Sequence, residues 1–561
     1  MDYNRLAELL FPEKLPTPEE LEIRYPERAL PEGAKVTRFA PSPTGYVHLG
    51  GVYQTMVGER LAHLSGGVFF MRIEDTDSKR EVPGAAENLI RTLSLYGINF
   101  DEGAALGETG EIVDKGNYGP YKQSKRAELY HVYAKKLVSE GKAYPCFSTE
   151  EEQAEHDASD KKAEIKAKEW SPEEVARQRA EARELRNITL EEVEENLKAG
   201  NKFVLRILAE GDGEKKIFFN DLIKGKLEIP ENDEDFVLLK SDGIPTYHFA
   251  HAVDDHLMRT THVIRGEEWL PSAAKHVQLF KYLGFRLPKY LHTAQIMQLD
   301  EMGNKKKLSK RDLGANMNDY RAIGCAPECV AEYLLTVLNS NFEEWRMQNP
   351  DKDYKEFPFS INKMSASGCL LDMEKLKDIS KNVISKMTAD KVYDSVLSWA
   401  EEHDGELYSL LAADREYAVR IFSIGRGGKK PRKDIALWNE VKPFIGFFYD
   451  SLFAVEEPFP DKDKADIKKA LSEFCDKYDS TPDQTEWFES LKDVAESIGY
   501  ARETKLYKKN PDEYRGHVGD VAAFLRVAVC GRANSPDLYE VMTVLGRERT
   551  LARVTAAIET L

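Results

Sequence analysis

Two stretches of this 561-residue chain carry residue types suited to handling a polyphosphate. The first is Arg38-Phe39-Ala40-Pro41-Ser42-Pro43-Thr44-Gly45-Tyr46-Val47-His48-Leu49-Gly50-Gly51. Gly50 and Gly51 let backbone N–H groups come close to a ligand. A helix starting there turns its positive end toward that ligand, and His48 adds a side-chain donor. Capping or packing is the other reading of a lone histidine before a helix. No lysine follows the glycines, so this is not a Walker loop, and the spacing is not the dinucleotide GxGxxG. The second stretch, Lys305-Lys306-Lys307-Leu308-Ser309-Lys310-Arg311, is followed by Asp312 and Gly314. Taken alone it is a solvated run of charge.

The elements around the first stretch read as a βαβ opening. Residues 36–40 form a buried strand, the two prolines stop a helix from continuing out of it, and Gly45 permits the turn. Leu49, Val52, Tyr53, Met56, Val57, Leu61 and Leu64 then recur at helical spacing, Gly66-Gly67 ends the helix, and residues 68–73 form the next strand. Ligands in such sheets sit beyond the carboxyl ends of the strands, so the loop 41–51 and Glu74-Asp75-Thr76-Asp77 should face one crevice. Strand patterns return at 203–208, 216–219 and 236–239. Tyr247-His-Phe-Ala-His251 then leads to Val253-Asp-Asp255, and a strand at 261–264 ends at Arg265, Glu267 and Glu268.

Together the two stretches resemble the paired signatures of class I aminoacyl-tRNA synthetases, His48-Leu49-Gly50-Gly51 matching HIGH and Lys307-Leu308-Ser309-Lys310-Arg311 matching KMSKS. Ala40-Pro-Ser-Pro-Thr-Gly45, Arg72-Ile-Glu-Asp-Thr-Asp77 and Thr261-His-Val-Ile-Arg-Gly-Glu-Glu268 narrow the resemblance to the glutamyl-tRNA synthetase family. The match is dense from about residue 35 to 340 and thinner beyond. It implies an α/β fold: a Rossmann-type class I catalytic domain with an acceptor-binding insertion, followed by an all-α C-terminal anticodon-binding domain. The expected division is an N-terminal extension (1–34), the first Rossmann half (35–110), the acceptor-end insertion (111–210), and the second half with the KMSKS-like loop (211–325). A stem-contact region (326–375) and the helical domain (376–561) complete it.

The activity implied is ATP-dependent ligation of L-glutamate to tRNA through a glutamyl-adenylate, with magnesium accompanying ATP. A carboxylate is already a nucleophile, so activation needs alignment and charge stabilisation rather than a general base. By resemblance His48, Gly50, Lys307, Ser309 and Lys310 serve catalysis. Gly51, Glu268, Ile296, Met297 and Leu308 join them around ATP. Arg38, Ala40, Ser42, Glu74, Tyr247, His251 and Arg265 form the glutamate pocket, because a guanidinium matches a carboxylate bidentately and Glu74 would meet the α-ammonium. A structural Arg38–Glu74 ion pair is the alternative, and at His251 some relatives have asparagine. Gln123, Ser124 and Arg126 would lie near the tRNA acceptor end, against the alternative of an N-capped surface helix.

Composition sets the remaining expectations. No run of 18 uncharged apolar residues exists and the N-terminus has no apolar leader, so a cytoplasmic monomer without membrane contact is expected. Cys146, Cys325, Cys329, Cys369, Cys475 and Cys530 lack CxxC spacing, which suits a reducing compartment, and Cys146-Phe147-Ser148 breaks the CxC zinc pattern of some relatives, so no zinc is expected. The net charge of −18 looks unsuited to tRNA, but basic residues cluster at 305–311 and 426–433 while acids fill stretches such as 149–155 and 190–196. Residues 149–198 read as a solvated helical hairpin, the segment after Asp101 as a glycine-rich loop, and 435–452, 465–478, 485–498, 518–530 and 538–545 as helices. The rival readings are a glutaminyl-tRNA synthetase, whose loop would read Pro-Pro-Glu-Pro-Asn, a shortened tRNA-modifying paralogue, and a catalytically silent tRNA-binding paralogue.

Overall fold

The structure, a computed structural model, describes residues 1–77, 81–147, 184–300, 302–308 and 315–561, with only the main chain at Lys307. Most of the expected helical hairpin at 149–198 and the centre of the basic stretch lie outside the described residues. The chain divides into two compact units, residues 1–317 with 334–371, and residues 318–333 with 372–561.

In the first unit, helices α1 (Tyr3–Leu10) and α2 (Pro18–Arg24) lead into strand β1 (Val36–Phe39), helix α3 (Leu49–His63) and strand β2 (Val68–Met71). β1 and β2 run parallel with Val36 opposite Val68. The turn between α3 and β2 needs glycine, since a Cβ on Gly67 would meet the Lys35 carbonyl oxygen at 1.9 Å. Leu49, Val52, Tyr53, Met56, Val57 and Leu61 bury one face of α3. Each such side chain contributes roughly 1.5–3 kcal/mol relative to exposure.

After helix α4 (Ala85–Leu95), the segment expected as a glycine-rich loop is a β-hairpin, β3 (Glu102–Leu106) and β4 (Ile112–Lys115), with β3 parallel to β2. Its glycines mislead because Gly103 serves the strand itself. Its φ is +113°, and a Cβ there would lie 2.2 Å from the Met71 carbonyl oxygen.

Helix α5 (Ala127–Ser139), strand β5 (Ala143–Cys146), helix α6 (Leu190–Lys198), strands β6 (Val204–Ile207) to β9 (Val237–Leu239), and helix α7 (Tyr247–Leu257) follow. β7 (Lys216–Asp221) and β8 (Gly225–Pro230) form a hairpin in the sheet that also holds β10 (His262–Gly266) and β11 (Lys289–Thr293), while helix α8 (Ala273–Leu283) connects these last two, parallel, strands. Thr261 N donates to Val36 O at 3.0 Å, so this sheet abuts the first one along β1. A small sheet of β12 (Ile296–Leu299), β13 (Lys305–Lys307) and β14 (Cys369–Leu370) completes the unit.

The second unit is built of helices. Among them Met373–Lys386, Ala389–His403, Gly405–Ala413 and Arg415–Ser423 are N-capped by the side chains of Asp372, Thr388, Asp404 and Asp414. The helices expected at 465–478, 485–498, 518–530 and 538–545 are Lys464–Lys477, Gln484–Ser497, Val518–Cys530 and Leu538–Leu545. The single helix expected over 435–452 is instead two 3₁₀ turns flanking the short helix Val441–Ile445. Pro443 cannot donate a backbone hydrogen bond and Gly446 is a poor helix former, so continuous helix is not favoured there. No helix among the described residues is long and apolar enough to cross a membrane.

Candidate active site

Backbone pairing brings the two signature stretches together. His48 takes the N-cap position of α3 with extended backbone (φ −99°, ψ 157°), and its main chain bridges to Asn316. Leu49 N donates to Ala315 O and Met317 N to Val47 O, both at 3.1 Å. On the other side of the basic stretch, Lys305, Lys306 and Lys307 pair antiparallel with Leu299, Gln298 and Met297, and Leu308 N donates to Ile296 O at 3.3 Å. The described residues on either side of 309–314 are therefore tied down, 305–308 against β12 and 315–317 next to the start of α3. Ser309, Lys310 and Arg311 lie outside the described residues. The turn between β12 and β13 is closed by Asp300, whose Oδ1 accepts from Met302 N at 2.9 Å and Asn304 N at 2.7 Å.

Gly50 and Gly51 fill the first turn of α3, and Gly50 has open space where a Cβ would stand. Exposed Glu268 sits in the turn after β10, with Gln295 Nε2 at 3.4 Å from its carboxylate. Ile296 and Met297 are held between two strands, pairing with Cys369 and Leu370 on one side and, at Met297, with Lys307 on the other.

Beside this region lies a buried network of charge. Arg38, near the end of β1, donates from Nε to Asp255 Oδ1 at 3.0 Å and from Nη1 to Ile264 O at 3.4 Å. Arg72, fully buried just past β2, donates to Asp255 Oδ1 at 2.8 Å and to Glu74 Oε1 at 3.0 Å. Arg38 and Glu74 thus form no direct pair; each is held through Arg72 and Asp255. Burial works against the ionised Asp255, but the charges of Arg38 and Arg72 outweigh it and hold the carboxyl well below the usual range. Burial pushes Glu74 up, and Arg72 and Arg38 only partly offset this. An approaching ammonium group would favour the ionised carboxylate.

His251, one turn before Asp255 on α7, places Nδ1 2.7 Å from Asp255 Oδ2 and Nε2 2.8 Å from the Tyr290 hydroxyl. Burial drives its pKa down to about 4. A neutral ring can then accept from Tyr290 at Nε2, with Nδ1 facing the Asp255 carboxylate. Tyr247 stacks beside His251 at 5.9 Å, and Arg265 Nη1 reaches the Tyr247 hydroxyl at 3.4 Å. Arg38, Glu74, Tyr247, His251 and Arg265 therefore form one cluster. Ala40 and Ser42 lie on the loop after β1, half-buried and exposed.

Gln123 and Arg126 correct the tRNA-facing expectation, because both side chains are only 1% exposed. Gln123 Nε2 donates to Asp254 Oδ2 at 2.8 Å and Arg126 Nε to Asp254 Oδ1 at 2.6 Å. They hold α5 to α7 from inside the protein. Ser124 between them is exposed, and its N–H donates to Asp75 Oδ1 at 2.8 Å.

Several cluster members escaped the sequence reading. The Trp269 ring lies 4.1 Å from Tyr247, and its carbonyl faces Arg265 Nη2 at 3.4 Å. His276 of α8 and His292 of β11 contact Arg265, and Asp221 of β7 stands behind His292. Two guanidiniums and a raised carboxyl in one cluster, beside a helix N-terminus and a clamped basic segment, can bind a small molecule bearing carboxylate and ammonium groups next to a polyphosphate.

Comparison with known proteins agrees with this geometry. Residues 35–378 match the family described as tRNA synthetases class I (E and Q), catalytic domain, and residues 431–558 match an anticodon binding domain. The chain is 48% identical over 558 residues to a glutamate–tRNA ligase of Acetivibrio thermocellus, covering 99% of each chain. It is 46% identical over 560 residues to one of Clostridium perfringens, covering 99% of this chain and all of the relative. A crystal structure of a glutamate tRNA ligase from Elizabethkingia meningosepticum in complex with its amino acid superimposes with a TM-score of 0.70 at 27% identity, over 94% of this chain and 99% of that one. With near-full-length identity and both domain matches in place, the chain belongs to the glutamate–tRNA ligase family of class I aminoacyl-tRNA synthetases.

Proposed function

We propose that this chain ligates L-glutamate to tRNA in two steps, as a cytoplasmic enzyme of translation. The glutamate carboxylate attacks the α-phosphorus of ATP and expels pyrophosphate, and a ribose hydroxyl at the tRNA 3′ end then displaces AMP from the mixed anhydride. The observation that carries this reading is the juxtaposition of Arg38, Glu74, Tyr247 and Arg265 in one cluster, which offers a cation for each carboxylate and a carboxylate for the ammonium group.

His48, Gly50 and Gly51 meet the phosphates, Lys307, Ser309 and Lys310 stabilise the charge on departing pyrophosphate, and Glu268, Ile296, Met297 and Leu308 line the nucleoside side. Among the described residues no cluster of three His, Cys, Asp or Glu side chains could hold a metal. Magnesium, which retains water and binds through substrate phosphates, is assigned to the nucleotide.

Charging assays with purified glutamate and glutamine tRNAs, each offered either amino acid, test the reading. Glutamate should be ligated, with release of AMP and pyrophosphate. Ligation of glutamine in its place, or binding of tRNA without any ligation, would overturn it.

A further inference from the structure

We infer that His292 and His276 are positioning residues for Arg265, whose guanidinium they fix as hydrogen-bond acceptors so that its outer edge meets a substrate carboxylate. The inference rests on the reading of Arg265 as a glutamate ligand.

Arginine carries five N–H donors and no acceptor, so any ring nitrogen facing it must be unprotonated. Arg265 Nε donates to His292 Nε2 at 2.9 Å, and Nη1 donates to His276 Nδ1 at 3.2 Å. These two bonds fix both tautomers. His292 must carry its proton on Nδ1, which donates to Asp221 Oδ2 at 2.7 Å, and Asp221 is itself anchored by the backbone N–H groups of His292, Ile223 and Lys224. His276 must carry its proton on Nε2, which donates to His248 Nδ1 at 3.0 Å. Arg265, His276, His292 and Asp221 are all buried, and burial followed by the Arg265 charge keeps His276 well below its ordinary pKa, in keeping with the neutral ring.

The remaining contacts of the guanidinium, to the Tyr247 hydroxyl and the Trp269 carbonyl, are long at 3.4 Å each and correspondingly weak. Nε has one N–H and His292 takes it, so the side-on edge made by Nε and Nη2 is closed. Nη1 has a second N–H beyond the one given to His276, and with Nη2 it forms the end-on edge that a carboxylate can meet. Without the two histidines a long side chain would have to be ordered by the substrate itself, weakening its binding.

Paired amide substitutions separate acceptor function from packing. A glutamine amide reaches the place of a histidine Nε2, and an asparagine amide reaches that of Nδ1. At 292 the acceptor is Nε2, so His292→Gln keeps it and His292→Asn loses it; at 276 the acceptor is Nδ1, so His276→Asn keeps it and His276→Gln loses it. In tRNA charging, His292→Asn and His276→Gln should each raise the glutamate KM about tenfold, as loss of one hydrogen bond to a charged group does, with the ATP KM unchanged. His292→Gln and His276→Asn should stay within about threefold of the parent. Packing alone would rank asparagine and glutamine in the same order at both positions, and that result, or four unchanged values, overturns the inference. Thermal melts check folding, and if one pair fails to fold the other position decides. Arg265→Lys separates the two levels. An unchanged glutamate KM in that variant overturns both the ligand reading and the positioning built on it. A raised KM without the crossed pattern overturns the positioning alone.

Discussion

The two compact units bury different things. In the unit of residues 1–317 and 334–371, Arg38, Arg72, Glu74, Arg126, Asp254, Asp255 and Arg265 are all withdrawn from water, and so are the buried histidines among the described residues, His251, His262, His276 and His292. In the helical unit the buried charges among the described residues are Glu332, Asp466 and Arg553, and apolar side chains make up most of the interior, as along Val518–Cys530, where Val521, Phe524, Leu525 and Val529 are buried. Burying charge costs desolvation that apolar packing does not, so ionic interiors are poor devices for stability. The helical unit shows that this chain can build a core with few buried charges. The charge in the first unit is therefore best explained by preorganisation for a charged substrate.

Acid should separate the units most strongly. Burial and, for His248, the nearby Lys275 charge bring His248 to about 3, while burial and Lys289 bring His262 to about 4, beside His251 at about 4. A histidine whose folded pKa lies below its unfolded value contributes stability that is complete above the unfolded value and is lost as pH falls toward the folded one. Between about pH 6.5 and 4 the first unit should lose on the order of 1.4 kcal/mol per pH unit for each such histidine. Denaturant midpoints of the two transitions, followed from pH 7.5 to 5, should diverge; parallel loss in both would break the comparison.

Asp255→Ala should come next. It leaves Arg38 and Arg72 buried with a shared partner missing, a loss of roughly 3–5 kcal/mol visible in the midpoint of the first unit's transition. Its counterpart in the helical unit is Arg553→Met. Arg553 donates to the carbonyls of Phe447 and Val529 and to Asp450, so about 1–3 kcal/mol should be lost from that unit's transition. A larger loss than in Asp255→Ala would reverse the ranking. Least of all should follow Arg415→Ala, which removes an exposed pair with Asp390 and should leave the midpoint of the helical unit's transition essentially unchanged in the same measurement.

The same contrast explains what could be read from the sequence. The βαβ opening and the C-terminal helices were legible because apolar periodicity is local and the caps are residues such as Asp463 and Asp483, standing next to the helices they start. Elements whose form depends on a distant neighbour were not. Gly103 suggested a loop because its fit against Met71 is invisible in the chain, and the 435–452 pattern continued through Pro443 and Gly446 as though they were neutral. At the site, family motifs pointed to Arg38, Glu74, Tyr247 and Arg265, which the structure places together. Gln123 and Arg126 looked like surface polar residues because Asp254, their partner, is more than a hundred positions away. His276 and His292 carried no signal at all. A single histidine reads the same whether it caps a helix or orients an arginine.

The clamp on the basic segment has a practical consequence for rebuilding the enzyme. Lys307 takes its place from pairing with Met297, and residues 315–317 take theirs from the turn before α3, so neither position depends on how many residues form the hairpin tip. Met302 at that tip is 87% exposed, and Gly303 turns with a φ of +80°. A foreign peptide or a small reporter domain spliced beside Met302 would meet solvent rather than core and would leave the register of both signature stretches unchanged. The tip is a natural port through which this ligase could be tagged or tethered.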